Sequence, residues 1–325
     1  MTRYPLKPRP HGIARLAGAF AVMAMLYGSA WSWPDRPIQM LVGYPPGGVI
    51  DVMARSAAEA LAQTLKQPVV VVNKDGAGGT IAAAMVAKAP ADGYTIAFST
   101  LGPLNLQPHL KKTLPYKPEE LVGICQAFYN DLAVVASPKS RYNSLADVIA
   151  EAKKNPDKVS YGVPGNGTVP HIGALQLAQS ANIKMQAVAY KGDPAVNLAL
   201  KTGEIELGVM ATGSALSQGL RLLAVLSPER VKEAPSVPTA TELGYPALGQ
   251  VSAGLYGPRN LPPAIKSQLE GACKIAVGSD KYVAAAKAIQ VNATYTDGEA
   301  FDKTIVQTSN ANRQVIQAAG LSLDN

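Results

Sequence analysis

Cysteine and histidine are scarce: the 325 residues hold only Cys125 and Cys273, and His11, His109 and His171. So few ligands, spread so far apart, cannot furnish a zinc finger, an iron–sulfur cluster or a disulfide-stapled scaffold. Aromatic residues are 6% and charged residues 16% of the chain. After residue 30 no basic run exceeds a pair, as in Lys111-Lys112 and Lys153-Lys154, and neither pair alternates with stacking aromatics. That speaks against a nucleic-acid partner. The formal charge of +7 has a local origin: four of the 30 basic residues (Arg3, Lys7, Arg9, Arg15) precede the first acid. Signature loops of common enzymes are missing too. There is no Gly-x4-Gly-Lys-Ser/Thr, no Gly-x-Ser-x-Gly and no His-Glu-x-x-His. Gly76-Ala-Gly-Gly79 places Ile81 where a dinucleotide loop needs a small residue. No cofactor and no metal are expected.

What is present is a large apolar complement. Hydrophobic residues make up 47%, with 29 glycines and 25 prolines, so a sizeable core joined by tight connections is available. The length suggests about two domains. The first segment is an address: a basic opening, the apolar run from Leu16 to Leu26, then Gly28 and Ala30 at the small-residue positions of a cut after Ala30. Residues 1–30 therefore read as a secretory signal peptide, too short to span a bilayer. The expected location is the periplasm.

From Pro37 onward a short apolar run, a small-residue loop and a helix-like stretch recur. Ile38 to Tyr44 leads into Pro45-Pro-Gly-Gly48, Pro68 to Val72 into Gly76-Ala-Gly-Gly79, and Tyr94 to Ser99 into Thr100-Leu-Gly102. A second series follows: Val159 to Gly162 before Gly165-Asn-Gly-Thr168, Gln186 to Ala189 before Tyr190-Lys-Gly192, and Leu207 to Met210 before Ala211-Thr-Gly-Ser214. Buried strands alternating with helices predict parallel sheet covered on both faces. Ser144-Leu-Ala-Asp147 and Thr239-Ala-Thr-Glu242 are capping boxes. After Ser252–Gly257 the chain reads as helices, over Pro262–Ser279, Asp280–Ala288 and Asp297–Ala319, with little strand between them. The expected architecture is α/β with two lobes, the second inserted into the first: 31–130 with 253–325, and 131–252. Cys125 lies near a lobe crossing and Cys273 in a C-terminal helix, so the two are expected to remain uncrosslinked.

Ligands of open parallel sheets bind beyond the C-terminal ends of the strands. All six small-residue loops fall there. Their exposed N–H groups and helix N-termini favour an anion. His171 suits a structural hydrogen bond better than a general base, and Asp51 suits a first helical turn better than a catalytic acid.

These loops, taken in order, resemble the Bug family, the periplasmic solute receptors of tripartite tricarboxylate transporters. The resemblance runs through Trp33-Pro-Asp-Arg-Pro-Ile, Tyr44-Pro-Pro-Gly-Gly-Val-Ile-Asp51, Asn73-Lys-Asp-Gly-Ala-Gly-Gly79 and Ala91-Asp-Gly-Tyr94. It continues through Tyr161-Gly-Val-Pro-Gly-Asn-Gly-Thr168 with His171, Tyr190-Lys-Gly192 and Val237-Pro-Thr-Ala-Thr-Glu-Leu-Gly244. It implies a Venus-flytrap fold that captures a small organic carboxylate and delivers it to membrane transporter subunits, as a monomer and without catalysis. It also implies a site. Backbone amides and bridging water in the loops holding Pro46, Gly47 and Gly48, Gly78 and Gly79, and Thr100 and Gly102 would hold the carboxylate, and Asp51 is counted among the ligand-binding residues of this wall. Gly167, Thr168, His171, Lys191, Gly192, Asp193 and Thr212 would close from the second lobe. Two departures fall on that second wall: Ala211-Thr212-Gly213-Ser214 replaces the Asp with Ser or Asn common in relatives, and Ala215–Gly219 is shorter than usual. A ligand sensor for a membrane signalling protein, or an exported enzyme using His171 or Asp51, are the alternatives.

Overall fold

The computed structural model describes residues 33–247 and 249–322, with residues 1, 2 and 4; the signal-peptide reading and its cut after Ala30 lie outside the described residues. The three apolar runs of the first series form strands β1 (Ile38–Val42), β2 (Val69–Asn73) and β3 (Thr95–Thr100). They pair in parallel in the order β2-β1-β3. Helix α1 (Val49–Leu65) follows β1 and α2 (Thr80–Ala87) follows β2. In α1 the buried Ile50, Met53, Ala54, Ala57, Ala58 and Leu61 recur at three- and four-residue steps, which lays one face on the sheet. Two single-turn helices, α3 (Gly102–Asn105) and α4 (Gln107–Leu110), follow β3.

The chain then enters β4 (Leu121–Ala136), a strand of 16 residues. From Leu121 to Asp131 it pairs antiparallel with β9 (Gln250–Pro258). From Leu132 to Ala136 it pairs antiparallel with β7 (Leu207–Ala211) and β8 (Arg221–Val225). One strand thus serves both halves of the sheet. The second half holds α5 (Leu145–Lys154), β5 (Ser160–Val163), α6 (Val169–Ser180), β6 (Gln186–Ala189), α7 (Asp193–Thr202) and, after β7, α8 (Thr212–Ser217). Its strand order is β4-β7-β5-β6, with β5 parallel to both neighbours. The chain returns through β9, which is antiparallel to β3. It finishes with α9 (Pro263–Val277), α10 (Asp280–Ala288), β10 (Asn292–Asp297) and α11 (Gly298–Ala319). Among the described residues no helix is long and apolar enough to cross a membrane.

Three expectations need correction. The sheet is mixed rather than parallel, because β4 and β9 run against their neighbours where the chain passes between halves. The C-terminal segment contains β10, which pairs antiparallel with β4; its Asn-Ala-Thr-Tyr-Thr-Asp is only half-buried and lacks the apolar signal of the other strands. Cys125 and Cys273 are crosslinked, with Cα atoms 6.6 Å apart. Pairing of β10 with β4, in register at Asp297 and Cys125, draws the C-terminal helices back over β4. That brings buried Cys273 of α9 against buried Cys125.

Ser144 caps α5 as expected: its Oγ accepts the Asp147 N–H at 3.2 Å, while Asp147 Oδ2 accepts the Ser144 N–H at 2.9 Å. The Thr239–Glu242 box forms both of its bonds, at 2.9 and 3.1 Å, yet starts only turns. Gly244 in the left-handed region and Pro246 stop a helix there.

The crosslink closes a separation of 148 residues, and loop-closure entropy predicts a stabilisation of about 2–5 kcal/mol. Unreduced peptide mapping should recover the Cys125–Cys273 pair. Urea denaturation of a Cys125→Ala/Cys273→Ala variant should show a loss in that range with the far-ultraviolet circular dichroism retained.

Candidate functional site

Loops from both halves of the sheet meet across one cleft. The β1–α1 loop, Tyr44 to Gly48, is shaped from beneath by Asp51. This carboxylate, 3% exposed, accepts the Gly47 N–H at 3.0 Å, two bonds from Arg55 at 3.0 and 2.9 Å and one from Asn73 Nδ2 at 2.8 Å. Asn73 Nδ2 also reaches the Tyr44 carbonyl, at 3.0 Å. Burial alone would raise the Asp51 carboxyl, but Arg55, the Gly47 amide and Asn73 outweigh it and hold it below the usual carboxylate range. Asp51 therefore fixes the loop and does not face the cleft.

In the β2–α2 loop four successive residues, Gly76 to Gly79, have positive φ. A Cβ on Gly78 would lie 2.5 Å from Gln107 Nε2, so only glycine leaves that amide where it is. Gln107 matters because its Nε2 donates across the cleft to the Gly167 carbonyl at 2.6 Å. At the end of β3, Thr100 Oγ1 and the Tyr44 hydroxyl lie 2.9 Å apart. Burial pushes the Tyr44 hydroxyl up to about 12, so it stays protonated at neutral pH.

On the facing wall, His171 Nδ1 accepts the Gly167 N–H at 3.0 Å and Thr168 Oγ1 donates to the Gly165 carbonyl at 2.8 Å. Burial lowers the His171 pKa, which keeps the ring neutral and its Nδ1 lone pair free to accept. His171 is thus a loop-shaping residue. Gly192, at φ +81°, backs onto Pro45: a Cβ there would come within 2.7 Å of the proline Cγ. Thr212 Oγ1 donates to Asn130 Oδ1 at 2.6 Å, at the point where β4 passes between the halves.

Three connected spaces run along the cleft. The innermost, about 40 Å³, is bounded by Tyr44, Gly48, Thr100, Asn130, Val169, Gly192 and Asp193; that is room for a few waters. On one side a cavity of about 540 Å³ is lined by Gly78, Gly79, Gln107, Lys111, Asn166 and Lys191. On the other, about 280 Å³ is lined by Gly47, Gly48, Asp193, Asn197 and Ser214. Of the residues chosen from sequence, Gly47, Gly48, Gly78, Gly79, Thr100, Lys191, Gly192 and Asp193 border these spaces. Asp51, His171, Thr168 and Thr212 act inside the walls. Gly102 N–H points to Thr100 Oγ1 at 3.4 Å, Gly167 holds Gln107, and Pro46 is exposed on the loop. Tyr44, Gln107, Lys111 and Asn130 were not chosen. Tyr44 adjoins a selected loop and was within reach; Gln107, Lys111 and Asn130 lie outside the glycine pattern and carried no signal. Among the described residues no group of three or more His, Cys, Asp or Glu is placed to hold a metal ion.

Because the Asp51 pKa is depressed in the fold, its contribution to stability is present above its unfolded value of about 4 and is lost as pH falls through the lower folded value. Asp51→Asn should cost about 1–3 kcal/mol at pH 7 and flatten the acid limb of a pH–stability profile measured by urea denaturation. Gln107→Leu removes one cross-cleft bond, and closure should weaken by about 0.5–1.5 kcal/mol. Small-angle scattering should then show the more open form.

Comparison with known proteins follows the same loops. Residues 53–321 match the family model described as tripartite tricarboxylate transporter family receptor. The chain is 40% identical over 226 residues to protein BugT of Bordetella pertussis, covering 67% of this chain and 69% of that protein. Its fold is similar to that of the periplasmic binding protein BugD, with a TM-score of 0.82 and 27% identity over 89% of this chain and 99% of the other. An R. palustris protein solved with adipate gives a TM-score of 0.83 and 26% identity over 89% and 99%. The two-lobed periplasmic-binding-protein fold that the family resemblance implies is what these neighbours share with this chain.

Proposed function

We propose that this chain, which belongs to the family of tripartite tricarboxylate transporter receptors, captures a small organic carboxylate between its lobes and delivers it to the membrane subunits of such a transporter. The observation that carries this reading is the convergence of loops from both sheet halves on one closed cleft whose described lining contains no arginine. A bidentate clamp is therefore replaced by backbone amides at strand ends and helix N-termini, which suit a carboxylate. The similar protein solved with adipate supports the same ligand class. The lobes are residues 31–130 with 253–325 and residues 131–252, supported by the change of β4 partners between Asp131 and Leu132. The protein works in the periplasm as a monomer, after removal of residues 1–30.

Binding without chemistry is supported by the state of the two candidate catalytic groups. Asp51 is consumed by Arg55, Asn73 and Gly47, and His171 by Gly167. Neither borders the cleft spaces.

A carboxylate at about 100 times its Kd should stabilise ligand-stripped protein by about 2.7 kcal/mol, read as a rise in melting temperature; nucleotides and sugar phosphates should give none. Gly78→Val should abolish that shift by displacing Gln107, while Lys191→Ala, at an exposed position, should reduce it only modestly. A broad carboxylate panel without any shift would refute the receptor reading. Loss of binding in Lys191→Ala with retention in Gly78→Val would replace the backbone cradle by a charge-paired site.

A further inference from the structure

Helix α11 is anchored in the first lobe along most of its length. Phe301, near its start, is fully buried in one cluster with Leu41, Ala97 and Tyr256, and Asp302 Oδ1 accepts the Gly123 N–H at 2.8 Å. Further along, Asn105 Nδ2 donates to Thr308 Oγ1 at 2.6 Å, and Asn312 Nδ2 donates to the Asn105 carbonyl at 3.2 Å. The end of the helix has different neighbours. Ile316, buried, joins Leu106 and Leu110 of the first lobe and Ile172 of α6 in one apolar cluster. Gly320, at φ +60°, then turns the chain back. The Leu321 N–H donates to the Ile316 carbonyl at 3.1 Å, and Leu321 packs on the same cluster. This is the Schellman arrangement, which ends a helix on an apolar contact.

Among the described residues, α11 brings only Val315 and Ile316 to this cluster, whereas Phe301 and Ile305 belong to the core of the first lobe. Ahead of that end, a space of about 580 Å³ is bordered by Thr304, Thr308 and Asn312 of α11 and by Gly173 and Gln176 of α6. The apolar contact between α11 and α6 is therefore local. It bears on the helix that carries the second wall of the cleft: Val169 of α6 borders the innermost space, and His171 holds the Gly167 amide. Gln107, which donates across the cleft to the Gly167 carbonyl, stands between Leu106 and Leu110. Parting the lobes breaks that bond and withdraws Ile172 from Leu106, Leu110 and Ile316. Apolar surface is then returned to water, which opposes the motion. We propose that the end of α11 is a latch, which by packing on α6 holds the two lobes closed before any ligand arrives. Ile172, Ile316 and Leu321 border none of the three cleft spaces. The latch thus sets how often the cleft opens and takes no part in choosing the molecule. It rests on the lobe division of the proposed function and is independent of the ligand's identity.

The test is small-angle scattering and hydrogen exchange on protein freed of small molecules by unfolding and refolding with the disulfide intact. The unliganded wild type should scatter as calculated for the closed structure. Ile316→Ala and Ile172→Ala cut the cluster from opposite lobes. Each should raise the radius of gyration and speed amide exchange in the Tyr44–Gly48 and Gly165–Thr168 segments about tenfold, through a more favourable opening equilibrium. Val306→Ala, on the same helix but 60% exposed, should change neither readout. Circular dichroism and melting temperature verify folding, and Leu321→Ala takes the place of a cluster variant that does not fold. A wild type already open without ligand overturns the latch. So do closed scattering and unchanged exchange in a folded cluster variant, or an equal opening in Val306→Ala. None of these readouts involves a ligand, so their failure leaves the carboxylate receptor intact, and a carboxylate panel without binding leaves the latch intact.

Discussion

Strand β4 is hydrogen-bonded in both halves of the sheet, and every cross-cleft relation in the molecule depends on that continuity. Its first eleven residues pair with β9, part of the same stretch pairs with β10, and its last five pair with β7 and β8. A strand held on both sides cannot shift register without exchanging its buried and exposed faces. The lobes are therefore tied together at a fixed register, with Asn130 at the crossing and its Oδ1 bonded to Thr212 of the second lobe. The disulfide from Cys125 to Cys273 fastens the C-terminal helices to the same strand. The joining of the two sheet halves and the return of the chain are both consequences of one element.

The cleft is built from backbone, and side chains act mainly behind it. Asp51 and His171 have matching jobs on opposite walls: each accepts a loop amide four residues before it, from Gly47 and Gly167 respectively. Buried acceptors of this kind leave little freedom to the loop they hold, because releasing the amide would strand a polar group away from water. Where the lobes touch, bulk is minimal. Gly192 lies against Pro45 and Gly48 near Pro194, and Gln107 makes a polar contact with the facing carbonyl. Under the receptor reading proposed above, such a cleft selects its ligand by shape and amide geometry and leaves charge selection to the few ionisable groups on its border.

Legibility in the sequence followed the periodic signal. Helices α9 and α10 appear within a few residues of their expected limits, and α5 starts at its expected cap, because an apolar face repeats along each. The β1 to β3 and β5 to β7 strands are short apolar runs before glycine, and these too were readable. The Gly47–Gly48, Gly78–Gly79 and Gly192 loops stood out because a positive φ or a close approach demands glycine. β10 did not: its polar residues pair through backbone bonds that any residue can make. The crosslink was misjudged for the same reason, since the distance between Cys125 and Cys273 is set by β10 and the helices around it.

By itself the sequence determined the lobed α/β character, the helices and the six strand-end loops, since these depend on local periodicity and on backbone angles open to few residues. It determined as well that a bidentate arginine clamp is missing from the loops, where Lys191 is the basic residue. Only the tertiary structure decided which loops face one another. It set Asp51 and His171 behind the walls and brought Gln107 opposite Gly167. The physical reason is that a hydrogen bond belongs to a pair of positions, and pairs distant in sequence meet only once the sheet has closed.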